Sequence, residues 1–161
     1  MTPALKWRDR LAKPDLDTIY QLVKKTGVFS EEECRVAREL AEDRLTRGLN
    51  SDYHFMVATV ADKITAYTCY GRIPFTDGRF DLYWIACDPD MSYKGIATRL
   101  LSISEAHMRE LGGKKLYAET SSREVYLPAH QFYEKNGFLR ESVFKDFYRD
   151  GDSKWVFVKD L

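Results

Sequence analysis

The run from Tyr83 to Leu101, YWIACDPDMSYKGIATRLL, restricts what this chain can fold into more than any other stretch. Leu82 to Cys87 are six apolar or strand-forming residues, the length and composition of a strand buried on both faces. Asp88-Pro89-Asp90 stops that strand. Beyond the loop, apolar residues recur at Ile96, Leu100, Ile103 and Leu111, with Ala106 between, which is helical spacing. A buried strand therefore feeds a glycine-containing loop that opens a helix.

Such a junction has two readings. The first turn of a helix carries unpaired backbone N–H groups and the positive end of the macrodipole, so a small residue there lets a phosphate approach, with Lys94 as an added cation. An ordinary strand-loop-helix in which Gly95 relieves a tight turn fits the local pattern equally. Two other phosphate loops are excluded: there is no G-x-x-x-x-G-K-S/T, and a single glycine between Gly78 and Gly112 leaves no G-x-G-x-x-G.

At 161 residues the chain is expected to form one domain, residues 1–161, around a single core. Its 25 basic and 25 acidic residues cancel, which disfavours a broad attraction to nucleic acid or to an anionic membrane, so any phosphate site must be local. Cys34, Cys69 and Cys87 are odd in number and far apart, as in a protein with reduced, mostly buried thiols, and they predict a cytoplasmic location. His54, His107 and His130 are isolated from one another and from the cysteines, so no metal is expected. The N-terminus lacks an apolar leader pattern, and no apolar run approaches the roughly 20 residues that span a bilayer.

In chain order, Leu5 to Leu11 alternates apolar and charged residues as an edge strand ended by Pro14. Asp15 or Asp17 is placed to cap a helix bearing Ile19, Leu22 and Val23, and Gly27 to end it. Ser30 with Glu33 forms a capping box for a second helix carrying Val36, Ala37, Leu40, Ala41 and Leu45 up to Gly48. The acids Glu31 to Glu33 complement that helix's dipole. Tyr53 to Val60 and Lys63 to Ile73 read as an antiparallel hairpin turning at Ala61-Asp62, and Pro74 to Arg79 turns into a third strand from Phe80. After the helix from Gly95 to Leu111, Gly112-Gly113 breaks the chain. Lys115 to Thr120 is then a strand that must run parallel to its predecessor, because a helix connects them. A short helix from Pro128 to Asn136, closed by Gly137, precedes a hairpin of Phe138 to Tyr148 and Ser153 to Val158.

The segment around Gly95 resembles the acetyl-CoA motif of the GNAT superfamily of N-acetyltransferases, Gln/Arg-x-x-Gly-x-Gly/Ala, with Gly95 and Ala97 in the small-residue places and Ser92 where Gln or Arg is usual. IACDPD is similar to the family's splayed strand and QFYEKNGF, Gln131 to Phe138, to its penultimate helix and following strand. The likeness runs from about Tyr53 onward and is loose before it. It implies an α/β (α+β) GNAT-like fold: a mixed, mostly antiparallel sheet of about seven strands, helices on both faces, and a central parallel pair splayed to hold CoA. It further implies acetyl-CoA as co-substrate, bound by Ile85, Ala86 and Cys87 along the strand and by Ser92, Tyr93, Lys94, Gly95, Ile96, Ala97 and Thr98 at the loop.

Acetyl transfer to an amine needs an unprotonated nucleophile, a stabilised oxyanion and a proton for the departing thiolate. The resemblance assigns the oxyanion to a backbone N–H near Ile85, the base to Glu119 and the acid to Tyr133. A surface ion pair for Glu119 and a half-buried helix aromatic for Tyr133 are the other readings of those positions, with Tyr126 or a water as the next acid. Cys87, with no histidine near it in sequence, reads as an inert thiol. Tyr83 and Trp84, with Arg72 or Arg79 to meet a carboxylate, line the acceptor side. The acceptor expected is a primary amine of a small molecule such as an amino acid, or of a peptide or protein. The chain itself is expected to be a monomer or homodimer, and a non-catalytic CoA-binding or sensing module is the alternative.

Overall fold

The structure is a computed structural model that describes residues 4–91 and 95–161. Among the described residues, seven strands and four α-helices follow one another as β1 (Leu5–Arg8), α1 (Asp15–Lys25), α2 (Glu31–Arg47), β2 (His54–Val60), β3 (Lys63–Arg72), β4 (Arg79–Cys87), α3 (Ile96–Glu110), β5 (Lys115–Ser121), α4 (Leu127–Lys135), β6 (Leu139–Arg149) and β7 (Asp152–Asp160). The strands form one mixed sheet in the order β1-β2-β3-β4-β5-β7-β6. As the helical connection requires, β4 and β5 are parallel, whereas β1-β2, β2-β3, β5-β7 and β6-β7 are antiparallel. The expected sequence of elements and the seven-stranded mixed sheet are both observed.

Two compact units divide the chain: Met1–Gly71 with Trp84–Ala106, and Arg72–Tyr83 with His107–Leu161. In the first, α1 contributes Leu16, Ile19, Leu22 and Val23 to a core completed by Cys34, Ala37 and Ala41 of α2, Phe55 and Val57 of β2, and Ile64, Tyr67 and Cys69 of β3. The capping box of α2 is formed as expected: Ser30 N donates to Glu33 Oε2 at 2.7 Å and Glu33 N donates to Ser30 Oγ at 3.2 Å. At α1 the expectation fails. Pro14 is the cap residue, and Asp15, the first helical residue, turns its carboxylate to Arg8 at 2.8 and 2.9 Å and to the N–H of Ala12. An ion pair to β1 outcompetes local capping. The β2-β3 hairpin turns on Ala61 and Asp62, with φ of 50° and 62°, as a two-residue turn matching strand twist requires.

In the second unit the parallel pair starts at a close backbone contact. Gly78 O accepts from Lys114 N at 2.7 Å and Lys115 N at 3.2 Å, and a Cβ on Gly78 (φ +70°) would meet Gly112 O at 2.5 Å. Only glycine permits that approach. From this anchor, Arg79, Phe80 and Asp81 pair with Lys115, Leu116 and Tyr117. The pairing does not continue to Leu82 and Tyr83, although both strands run on. On the other side of β5, Ala118, Glu119 and Thr120 stand opposite Phe157, Val156 and Trp155 of β7. Phe80, Leu116, Ala118, Tyr133, Phe138 and Phe157 are buried.

Candidate active site

Alternation along a strand puts residues two apart on the same face, so Asp81, Tyr117 opposite it and Glu119 share one face of the second unit. Val156 and Lys154 of β7 lie on that face too, because Val156 is opposite Glu119. Three charges converge there. Lys154 Nζ lies 3.6 Å from Glu119 Oε1. Asp81, half-buried, has its carboxyl pushed up to about 6, first by burial and then by the negative charge of Glu119, with Lys154 pulling the other way. Glu119 is half-exposed, whereas the side chain of Lys154 is only 15% exposed. Asp81 and Lys154 were not singled out from sequence. An acid flanked by the apolar Phe80 and Leu82 in a strand otherwise suited to burial was the available signal.

The opposite face of β7 carries Trp155 and Phe157, and α4 packs on it. His130 stacks on Trp155 at 4.4 Å and shares a hydrogen bond with Ser121 O at 2.9 Å, while Tyr133 contacts Phe157 at 5.4 Å and Phe138 at 5.1 Å between ring centroids. Pro128 at the start of α4 and Gly137 (φ +89°) after it fit the ends of a short helix. Tyr133 is 7% exposed, and burial pushes its phenol upward, so Oη keeps its proton at neutral pH. Beside Glu119 on β5, Thr120 Oγ1 is buried and has no hydrogen-bond partner. Ser121, next along, donates its hydroxyl to Asp152, which also holds Arg123 at 3.5 Å, so the end of β5 is tied down.

The first unit contains the other expected site segment. Ala86 is buried, and Ile85 and Cys87 are partly buried. Burial pushes the Cys87 thiol up to about 11, the state of an unreactive cysteine. After β4, Asp88 N donates to Thr65 O at 2.7 Å, and Lys25 of α1 grips Asp88 at 2.8 Å and Asp90 at 2.7 Å. Ser92, Tyr93 and Lys94 lie outside the described residues. Gly95 follows with φ +80°, nothing among the described residues lies within 4 Å of where its Cβ would stand, and its carbonyl accepts the N–H of Arg99 in the first turn of α3. Ile96 is buried, Ala97 partly buried and Thr98 exposed.

The remaining expected residues are placed elsewhere. Arg79 pairs with Lys115 at the opening end of the parallel strands, four residues and therefore about 13 Å along β5 from Glu119. Its guanidinium donates to Asp77 O at 2.6 Å, and that of Arg72 donates to Leu111 O at 2.5 Å and lies over the Phe80 ring. Trp84 packs edge-on against Phe29 at 4.7 Å beside the first unit's core, and Tyr83 is 38% exposed. Among the described residues no group of three or more His, Cys, Asp or Glu could hold a metal ion, and no helix is long and apolar enough to cross a membrane.

A mixed sheet whose parallel β4-β5 pair is joined through α3 is the fold of the GNAT acetyltransferases. The sequence profile of the Acetyltransferase (GNAT) family matches residues 16–138, and the chain belongs to that family. Its structure superposes on a GNAT-family protein from Desulfovibrio desulfuricans with a TM-score of 0.94 at 39% identity, covering 98% of this chain and 99% of that one. PaiA N-acetyltransferase from Thermoplasma acidophilum, solved with coenzyme A, shares the fold at 22% identity and a TM-score of 0.76, over 98% and 99% of the two chains. So does the ribosomal-protein-S18-alanine N-acetyltransferase of Escherichia coli, at 18% and 0.73 over 98% and 94%. No curated protein sequence is similar enough to this chain to count as a relative.

Proposed function

We propose that this chain moves the acetyl group of acetyl-CoA directly to a primary amine of a small molecule such as an amino acid, or of a peptide or protein. The observation that carries the reading is the Asp81–Glu119 pair: two carboxylates on one face, one of them half-buried with its carboxyl pushed up to about 6. A group poised near the working pH is what proton removal from an ammonium requires. At pH 7 an acid titrating near 6 is about nine-tenths ionised, so Asp81 can accept a proton and Glu119 can relay it or take it in turn.

The residues present suit acetyl-CoA. In the first unit, Gly95 leaves open space where a side chain would intrude, and the first-turn N–H groups of α3 are donors for a pyrophosphate. In the second, the orphaned Thr120 Oγ1 is a buried hydrogen-bonding atom with capacity to spare, and Tyr133 Oη holds a proton at neutral pH. Bound acetyl-CoA supplies the activated thioester. In the first unit the protein's part is then to anchor phosphate at Gly95–Thr98 and to pair with the pantetheine arm through the backbone of Ile85 and Cys87; in the second it is to take the amine's proton at Asp81 and Glu119 and to give one from Tyr133 Oη to the leaving sulfur.

The deciding experiment incubates the protein with acetyl-CoA and a panel of amines while free thiol is followed. Amine-dependent thiol release is expected. Saturable acetyl-CoA binding without release on any acceptor would replace the enzyme by a CoA-binding or sensing module.

A further inference from the structure

Lysines on strands reach for water with their ammonium groups while their stems cover apolar surface. Lys154 does not follow that habit. Its side chain is 15% exposed, and its Nζ stands 4.1 Å from the ring centroid of Phe147, 5.0 Å from that of Phe144 and 3.6 Å from Glu119 Oε1. The two rings are 50% and 54% exposed on the solvent side, an arrangement that packing alone does not call for.

A backbone irregularity produces the arrangement. Phe144 is opposite Lys154, but the next recorded pair is Arg149 with Asp152, so β6 spends five steps where β7 spends two. The surplus is absorbed around Asp146, which has φ +55°, donates its N–H to Ser153 Oγ and accepts the N–H of Gly151 on its carboxylate. A bulge of this kind re-aims the residues beside it. Here it brings Phe147 onto the same lysine as Phe144, and an ammonium over aromatic faces is attracted by their quadrupoles. The bulge and the two exposed rings thus hold one cation against one carboxylate.

We propose that Lys154 is a positioning residue for proton transfer: held under Phe144 and Phe147, it fixes the Glu119 carboxylate and tunes Asp81 as a proton acceptor. The proposal rests on the reading that this pair deprotonates the acceptor. In the second unit, the charged groups that act on Asp81 are Glu119 from β5 and Lys154 from β7; Tyr117 stands opposite Asp81. Two of the three influences on Asp81, burial and Glu119, favour its neutral form, and Lys154 alone opposes them. Without that cation a larger share of Asp81 would hold its proton near neutral pH and be unable to accept another, while Glu119 would lose the contact that orients it.

The test is a titration of Asp81 by carboxyl-carbon NMR over about pH 4 to 9 in the wild type, Lys154→Met and Lys154→Arg, with melting temperatures as a check of folding. In Lys154→Met the Asp81 midpoint should rise by roughly half a unit or more, and Lys154→Arg should stay near the wild type because it keeps the charge. An unmoved midpoint in a folded Lys154→Met protein reduces Lys154 to a surface ion pair and overturns the proposal. The acid limb of amine-dependent turnover is measured on the same variants. A shifted NMR midpoint with an unshifted turnover limb leaves Lys154 tuning Asp81 and removes the pair from catalysis, so failure of the proposal and failure of the functional reading are told apart.

Discussion

Replacing Asp81 by Asn should make the protein more stable at neutral pH while disabling it. The folded carboxyl titrates near 6 against an ordinary 3.8, with burial as the first cause and Glu119 as the second. Between those values the native state holds a proton that the unfolded chain has released, so stability falls as pH rises. The contribution is fully present below the unfolded value and lost by the time pH passes about 6. Roughly two units at about 1.4 kcal/mol each set a ceiling near 3 kcal/mol, and because the side chain is only half-buried, solvent screening lowers it to about 1–2 kcal/mol. Asn matches the protonated acid in shape and never ionises. Urea unfolding of both proteins near pH 3 and near pH 7 should therefore show about equal stability at the lower pH, and the Asn variant ahead by about 1–2 kcal/mol at the higher. A difference that is the same at both pH values would mean that Asp81 carries no buried charge worth naming, and the acid–base argument built on it would fall.

The other predictions concern single groups. Gly95→Glu should abolish acetyl-CoA binding by calorimetry: its Cβ meets nothing, but the acid would point into space needed by phosphate, and φ +80° adds about 1 kcal/mol of strain. Affinity that survives would move the phosphate site elsewhere. Glu119→Gln should reduce turnover most at low pH, where few acceptor amines are already unprotonated, and less as pH rises; an equal loss at every pH would indicate positioning only. Tyr133→Phe keeps the contacts to Phe138 and Phe157 and should melt within a few degrees of the wild type. It should also lose about ten-fold or more in turnover, and wild-type turnover would remove it as the acid.

Features set by neighbouring residues were legible in the sequence. The Ser30–Glu33 box lies within four residues, and the parallel β4-β5 pair follows from the helix that must connect them. What escaped depends on pairing between distant residues. No local pattern says that β7 rather than β6 lies beside β5, and only that order puts Lys154 against Glu119. Asp15 looked like a cap because its rival partner, Arg8, belongs to another element. Glu119 and Tyr133 were named through the family likeness, whereas Asp81 was not, because it stands just before the apolar run from Leu82 to Cys87 and its neighbours Glu119 and Lys154 come from other strands. Arg72 and Arg79 were offered as carboxylate binders beside aromatic surface, and each guanidinium gives one N–H to a backbone carbonyl, a local bond that sequence does not show.

The cost at Asp81 is itself an argument. Two acids on one sheet face destabilise each other, and partial burial of one compounds the penalty. Packing would be better served by threonine or valine at that position. Lys154 offsets part of the penalty, yet it does so from a place that requires a distorted β6 and two rings left half in solvent. A site built for stability would have none of these three features. Under the proposed reading the three features have one purpose: Asp81 is the carboxyl pushed up to about 6, Glu119 the carboxylate that helps to raise it and Lys154 the cation that keeps it from rising further.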